Sequence, residues 1–350
     1  MRIGVGTMTG TSMDGIDAVA VHIDGAGIDM KATYLSMASV EMGELRDTLQ
    51  QLAMNDVPTK EGESAALALG NLTTKAIQAL HLQHIDFIAL HGQTIFHKPP
   101  TSIQLINPEL VIRTFDCNVY TDPRRQDLLL GGEGAPITPL ADWVMFRSED
   151  ESTAIVNLGG FCNVTLLPAG CTTSDIEGFD VCSCNLLLNT ISQHAWNEPF
   201  DRDGTHALQG TIDSHVKEKI LQALSAQHTA NRSLGTDDEL GEYALDLGKH
   251  LTPEDLLASA TSAIGACISQ AVVNIDRVFL AGGGIHNKSL FGHIRNQGTT
   301  DVLGVPTQAR EGMAMAILSA LAQDGVSITL PQITGRRCVK ETVGWTQVNP

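Results

Sequence analysis

Three glycine-rich turns each follow a β-branched apolar run: Gly10-Thr11-Ser12-Met13-Asp14-Gly15, Leu158-Gly159-Gly160-Phe161-Cys162 and Ala281-Gly282-Gly283-Gly284-Ile285. Glycine adopts positive φ and lets main-chain N–H groups approach an anion closely. Any one of these turns reads better as hairpin punctuation; three together, in a chain short of Lys and Arg, suit a polyphosphate. Two hairpins facing each other across a cleft can clamp phosphates, and carboxylates at their edges can hold Mg²⁺ through water. Asp180 is the carboxylate that stands out. It follows the run Ile176-Glu177-Gly178-Phe179 at an expected strand end, where open α/β sheets bind ligands. A helix is expected over Asn185–His194, so Asp180 also suits an N-cap. His91 and His97 flank a polar loop; His97 reads as structural, and His91 is open. Asp201-Arg202-Asp203-Gly204 reads as a turn with an ion pair.

The familiar phosphate loops are absent. No G-x-x-x-x-G-K-[ST] occurs, since Tyr243 stands where Gly248-Lys249 would need its first Gly. Gly4-Val5-Gly6 continues to Thr9 and into a turn and strand rather than a glycine-opened helix. G-x-S-x-G and H-E-x-x-H are missing too.

The elements that must position these turns follow from apolar periodicity. Strands are expected at Ile3–Met8, Ile16–Asp24, Ile85–Leu90, Asn118–Thr121, Ser152–Asn157, Asn163–Leu167 and Arg277–Leu280. Helices are expected at Glu44–Ala53, Glu61–Leu82, Pro108–Thr114, Lys288–Arg295 and Glu311–Gln323. Strand–turn–strand openings at Ile3 and again at Ser152 suggest two halves of related architecture. The acidic break at Arg147–Glu151 places the boundary, giving domains 1–150 and 151–350.

The chain of 350 residues is 43% hydrophobic and 18% charged, which argues against disorder and coiled coil. A formal charge of −18 argues against nucleic-acid and membrane-surface binding. Seven cysteines with no apolar leader point to free thiols in a reducing cytoplasm. Cys182 and Cys184 are too close together for a zinc-ribbon pair. Leu256–Ile275 is uncharged but studded with Ser, Thr, Gln and Asn, and reads as a small-residue helix packed inside the protein.

Taken in order, these motifs resemble the anhydro-N-acetylmuramic acid kinases of the actin/Hsp70/sugar-kinase superfamily, almost end to end. Met8 to Asp17 resembles the family's first phosphate motif. His91-Gly92-Gln93-Thr94, with His97 and Gln104, is similar to its HGQT segment. Arg124-Arg125, Asp127 and Gly131-Gly132-Glu133-Gly134-Ala135-Pro136 resemble its R-x-D and GGQGAP stretch. Asn157 to Asn163 resembles the second phosphate hairpin, and Phe200 to Gly204 an FDRDG element. Gly282 to Asn287 resembles the adenosine loop, and Glu311-Gly312-Met313-Ala314 the C-terminal helix.

The resemblance implies an α/β, two-domain actin-like (ribonuclease H-like) ATPase fold, with mixed sheets and a central nucleotide cleft. It implies ATP and Mg²⁺, an anhydro-sugar substrate and a homodimer. In that family a 1,6-anhydro bond is cleaved by water while O6 is phosphorylated, giving N-acetylmuramic acid 6-phosphate in cell-wall recycling. The nucleotide residues would be Gly10, Thr11, Ser12, Met13, Asp14, Gly15, Ile16, Asp17, Asn157, Gly159, Gly160, Asn163, Gly282, Gly283, Gly284 and Asn287. The sugar residues would be His91, Gln93, Arg124, Asp127, Glu133 and Glu311, and the general base Asp180. The metal ligands are left unassigned.

The chain departs from the pattern where the family has F-D-x-G-P-G-N. It reads Phe179-Asp180-Val181-Cys182-Ser183-Cys184-Asn185. A glycine replaced at positive φ would strain the backbone. Glu133 stands for Gln, Asp142 for His and Ile106 for Gly. Arg232 to Asp237 aligns with K-S-T-G-R-E but loses its Arg. Three readings stay open on these residues: the family kinase with a variant loop, a kinase for another anhydro-sugar, and a non-catalytic nucleotide-binding relative.

Overall fold

The computed structural model describes residues 1–10, 13–54, 60–229, 234–235, 238–338 and 340–348. The elements run β1 (Arg2–Thr9), β2 (Gly15–Asp24), β3 (Lys31–Glu41), α1 (Leu45–Met54), α2 (Lys60–Gln78), β4 (Phe87–Leu90), β5 (Gln93–Lys98) and β6 (Thr101–Leu105). Then come α3 (Glu109–Thr114), β7 (Asn118–Thr121), α4 (Arg125–Leu129), α5 (Pro139–Phe146), β8 (Thr153–Leu158), β9 (Phe161–Leu167), β10 (Glu177–Ser183) and α6 (Asn185–Trp196). The chain continues with α7 (Ser214–Thr229), α8 (Gly241–Leu247), α9 (Pro253–Ala271), β11 (Arg277–Ala281), α10 (Lys288–His293), α11 (Arg310–Gln323), α12 (Pro331–Thr334) and β12 (Thr346–Val348).

Two compact units result. The first holds Met1–Phe146, Thr172–Ser174 and Gly304–Pro350; the second holds Arg147–Cys171 and Asp175–Leu303. The expected division at 150/151 therefore needs correction at its far end. The C-terminal segment returns to the first unit, because α11 packs on β1 and β2 and β12 pairs with β7. An apolar helix and a strand edge are satisfied there, and neither need is visible in local sequence.

The first unit's sheet has the order β12-β7-β4-β1-β2-β3. β1, β2 and β3 form an antiparallel meander, and β4 and β7 run parallel to β1. Central β4, Phe-Ile-Ala-Leu, is buried along its whole length, as a strand covered on both faces requires. The second unit repeats the scheme as β10-β9-β8-β11, with β8, β9 and β10 antiparallel and β11 parallel to β8. This meander-plus-parallel order, occurring twice, is the ribonuclease H-like arrangement in a mixed α/β architecture.

The uncharged stretch after Asp255 lies in α9, where Leu256 to Gly265 are buried. Thr252 caps the helix through Asp255 N, Pro253 opens it, and Glu254 and Asp255 occupy its first turn. The Ser259 and Thr261 hydroxyls donate back to Asp255 and Leu257 carbonyls. Gly265 lets α10 close in, since a Cβ there would lie 2.4 Å from His293 Cβ. Among the described residues no helix is long and apolar enough to cross a membrane.

β3 and the β5–β6 hairpin are additions to the expected elements. The segment after His91, read as a polar loop, is a strand paired from Gln93↔Leu105 to Lys98↔Thr101 around Pro99-Pro100.

Candidate active site

In the first unit the β1–β2 turn is closed by Met13 N donating to the Gly10 carbonyl, 3.1 Å, with Met13 at φ +55°. Thr11 and Ser12 lie outside the described residues. Met13 and Ile16 turn their side chains into the core, so only their main chain is open to a ligand. Asp14 stays exposed and pairs with Arg46 at 2.9 Å. Asp17 lies opposite Ser39 in the β2–β3 ladder and accepts its hydroxyl at 2.5 Å. Burial pushes the Asp17 carboxyl above its ordinary range. A cavity of about 450 Å³ is lined here by Gly10, Asp14, Gly15, Asp17, Glu41 and Glu311, among others.

Glu311 opens α11 above this cavity, and a close helix–strand contact puts it there. A Cβ on Gly6 would lie 2.0 Å from the Gly312 carbonyl oxygen. Glu311 is half-buried among Arg310, Asp142, Asp17 and Arg124, and desolvation raises its carboxyl. Neighbouring Arg310 is buried and donates from Nε to Asp142 Oδ1 at 2.9 Å and from Nη2 to Asp142 Oδ2. The Asp that departs from the family His is thus the counter-ion of a buried guanidinium. Removing either partner would strand a charge in the core.

His91, 2% exposed, is fixed as one neutral tautomer. Its Nδ1–H donates to the Gly92 carbonyl at 2.9 Å, and Nε2 accepts from Arg124 at 3.1 Å. Burial first, and Arg124 second, bring its pKa down to about 3. Arg124 also donates to the Gly134 carbonyl at 2.7 Å, and burial lowers its pKa to about 10. Gln93 is buried, with its amide nitrogen on the Thr94 carbonyl at 3.2 Å. Among the described residues, Gln93 Oε1 and Arg124 Nε have no hydrogen-bond partner. His97 bonds Ser102 through Nδ1 at 2.8 Å.

Asp127, expected beside the sugar, is engaged with protein groups. It is fully buried and accepts from Thr329 at 2.6 Å, Thr334 at 2.8 Å and Gly134 N at 2.8 Å. Its role is to pin the Gly131–Gly134 loop to the returning C-terminal segment. Gly132 is compulsory beside it, since a Cβ would lie 2.2 Å from Asp127 Oδ2. Half-buried Glu133 donates its N–H to the Thr334 carbonyl at 2.8 Å.

In the second unit Asp180, Asn163 and Asn157 are consecutive cross-strand neighbours on β10, β9 and β8, and Ala281 continues the row on β11. Residues directly opposite in a ladder share a face, so one carboxylate and two amides line up on one side of the sheet. All three are half-buried. The expected strand end at Asp180 lies three residues further on. The residue sits inside β10, and the register shifts just after it, between Asp180 and Cys182. It does not cap α6: the N-cap is Cys184. The Asp180 carboxylate instead accepts the Leu234 N–H at 2.8 Å.

The loop that departs from the family carries no left-handed cysteine. Neither Cys182 nor Cys184 has positive φ, and Cys184 stands at φ −128°. Both are fully buried with Cys162 and Cys267 in the second unit's core. Helix α6 starts against the β8–β9 turn, with Cys184 N on the Gly160 carbonyl at 2.9 Å and Asn185 N on the Gly159 carbonyl at 3.1 Å. The Asn185 side chain donates to the Leu158 carbonyl at 3.0 Å. A Cβ on Gly160 would meet Leu186 at 3.1 Å, whereas a Cβ on Gly283 would meet nothing. Gly282, at φ +81°, and Gly284 pack tightly on Leu158. Asn287 is committed as the cap of α10, accepting from Leu290 N at 3.0 Å. Asp201 closes its own turn on His206 N and Ala207 N. Two polar partners escaped the sequence reading: Ser39 beside Asp17, and Gln227 of α7 beside β10. Only the alternation of β3 could have signalled the first.

A sequence model of the anhydro-N-acetylmuramic acid kinase family matches residues 2–344. A kinase of that name from Bordetella pertussis is 33% identical over 97% of this chain and 94% of its own. One from Salinibacter ruber is 30% identical over 95% of this chain and 93% of its own. Among solved structures, component A of the Acidaminococcus fermentans (R)-2-hydroxyglutaryl-CoA dehydratase superposes with a TM-score of 0.48 at 10% identity, covering 93% of this chain and 99% of that one. A Streptomyces griseus ROK family glucokinase, in complex with glucose and AMPPNP, gives 0.37 at 12% identity, covering 90% and 98%. From its matched length and these relatives, the chain belongs to the anhydro-N-acetylmuramic acid kinase family.

Proposed function

We propose that this chain is an ATP-dependent kinase that opens the 1,6-anhydro ring of anhydro-N-acetylmuramic acid with water. In the same reaction it phosphorylates O6, giving N-acetylmuramic acid 6-phosphate for cell-wall recycling. The observation that carries the reading is the row Asp180, Asn163 and Asn157, which ends beside two glycine-rich turns.

Asp180 takes a proton from the attacking water as the new bond to the anomeric carbon forms. The old bond from that carbon to the bridging oxygen breaks, and its electron pair stays on O6. O6 attacks the γ-phosphorus, and ADP leaves. The Leu234 N–H holds the Asp180 carboxylate in one orientation, so little reorganisation is left for the reaction itself. In the first unit, Gln93 Oε1 and Arg124 Nε are buried polar atoms without a partner among the described residues, which suits a ligand rich in hydroxyls and amides. Glu311, held protonation-prone by burial, can donate or accept there.

Among the described residues no three metal-binding side chains gather into a cage. Mg²⁺ usually keeps several waters and binds through one or two carboxylates plus phosphates, and Asp14 and Asp17 fit that demand. When bound it would neutralise charge on the transferring phosphoryl group.

The cysteine loop favours a second reading, a kinase for a different anhydro-sugar. A coupled ADP-release assay with anhydro-N-acetylmuramic acid, levoglucosan, N-acetylmuramic acid, N-acetylglucosamine and no sugar separates them. Release with the first sugar, falling about 10²–10⁴-fold in Asp180→Asn, is the expected result. Thermal stabilisation by Mg·ATP with no release on any sugar would leave a nucleotide-binding regulator instead.

A further inference from the structure

Among the described residues β10 is the edge of its sheet, so one of its rows of backbone N–H groups has no strand there to pair with. On that edge, three residues past Asp180, the Ser183 N–H donates to Gln227 Oε1 of α7 at 2.9 Å. The other end of the same amide, Gln227 Nε2, donates to the Asp238 carbonyl at 2.6 Å. Asp238 and Gly235 bond each other in both directions. The Asp238 N–H donates to the Gly235 carbonyl at 2.8 Å, and its Oδ2 accepts the Gly235 N–H at 2.8 Å. The residue before Gly235 is Leu234, whose N–H holds Asp180 Oδ2 at 2.8 Å.

We infer that Gln227 is a positioning residue for Asp180, its side-chain amide tying β10 to Asp238 and, through the Asp238–Gly235 bonds, to Leu234, whose N–H reaches the carboxylate. The inference rests on the reading of Asp180 as the general base. Gln227 is 9% exposed, so both its bonds lie where few waters can replace them. The tie belongs to this chain's own loop: the family motif has Pro at the position of Ser183, and Pro has no N–H to give. The variant loop and the buried glutamine are thus two parts of one device. The other titratable group facing the carboxylate is the Cys162 thiol on β9, raised by burial.

A backbone N–H on a carboxylate favours its charged form, so loosening Leu234 should raise the Asp180 pKa. Two variants test this. Gln227→Met keeps the length and removes both bonds. Gln227→Glu, ionised, still accepts from Ser183 but cannot donate to the Asp238 carbonyl. In the ADP-release assay Gln227→Met should lower kcat about tenfold and leave KM for ATP within about twofold. The acid limb of its kcat/KM profile should move up by about half a pH unit or more. Gln227→Glu should show the same move at neutral pH, because the Asp238 side of the tie is what reaches Leu234 and Asp180. A wild-type profile in Gln227→Glu would overturn the inference. Carbon-13 NMR titration of the Asp180 carboxyl, assigned by its loss in Asp180→Asn, gives a readout independent of activity. An upward shift in either folded variant is expected, and an unchanged titration in both would overturn the tie. If Asp180→Asn stays fully active, the general-base reading fails, while the NMR titration still decides whether Gln227 positions the carboxylate.

Discussion

Gly6 of β1 and Gly312 of α11 meet main chain to main chain: a Cβ on Gly6 would lie 2.0 Å from the Gly312 carbonyl oxygen and 2.6 Å from Ala316 N. A Cβ on Gly312 would in turn lie 2.4 Å from Val19. Backbone cannot step aside as a flexible side chain can, so this contact sets the height of α11 over the sheet and, with it, the place of Glu311.

Gly6→Ala should therefore destabilise the protein by about 3 kcal/mol, the upper part of the usual overpacking range. Urea unfolding measures that loss. Activity should fall beyond what stability explains, because Glu311 is displaced. A Gly6→Ala variant with a wild-type urea midpoint would show that α11 has slack the contact distances deny.

Glycines of the other two turns separate ligand contact from packing. The missing Cβ of Gly283 points into open space, and that of Gly160 points at Leu186. Gly283→Val should fold normally and raise the Kd for ATP at least tenfold, or about 1.4 kcal/mol. Gly160→Val should mainly push Leu186 aside and cost stability. Equilibrium ATP binding and thermal melts of the two variants read this out. Unchanged ATP affinity in folded Gly283→Val would remove that turn from the nucleotide site.

Much of this is legible in the sequence. The runs at Ile3–Met8, Asn118–Thr121 and Arg277–Leu280 fall on strands because alternation and β-branching are local signals. Asp180 could be picked by residue type and flanking pattern, but its cap-or-base ambiguity was not local. The cap reading falls because Cys184 takes the cap position, while Leu234, 54 residues away, donates to the carboxylate. Asp127 shows the reverse case. A motif grouped it with sugar ligands, whereas its partners Thr329 and Thr334 lie more than 200 residues on, in a segment whose return to the first unit no periodicity announces. Gln227 is illegible in the sequence for the same reason, since its bonds join β10 to Asp238.

His91 makes a pH prediction with a definite sign. Its folded pKa, about 3, lies below the ordinary value of 6.5. The unfolded chain therefore takes up a proton that the folded chain refuses as pH falls below 6.5. The stability is complete above that pH and is lost between about 6.5 and 3, at about 1.4 kcal/mol per pH unit while the difference lasts. Protonation would also set an imidazolium against Arg124 at 3.1 Å. His91→Gln should be less stable at pH 7 but have a shallower slope of urea midpoint from pH 6 to 4. Parallel slopes in the two proteins would mean that His91 is not held neutral.

The cysteine loop yields the last test. Changing Cys182→Gly, Ser183→Pro and Cys184→Gly together rebuilds the family's G-P-G. In isolation that change should restore the family's substrate fit, if the loop had drifted from it. The surroundings argue for a different result. Cys182 and Cys184 are fully buried with Cys162 and Cys267, so each glycine leaves a hole and a more flexible backbone. Neither position needs glycine's left-handed range. The Ser183→Pro change also removes the N–H that Gln227 accepts, leaving a buried amide oxygen unpaired at a cost of about 1–3 kcal/mol. The triple variant should lose about 3–5 kcal/mol by urea unfolding, the sum expected of two small cavities and one orphaned acceptor. It should gain no ADP release on anhydro-N-acetylmuramic acid. A triple variant that is as stable as the parent and faster on that sugar would show that the cysteines had displaced a loop this fold still accepts.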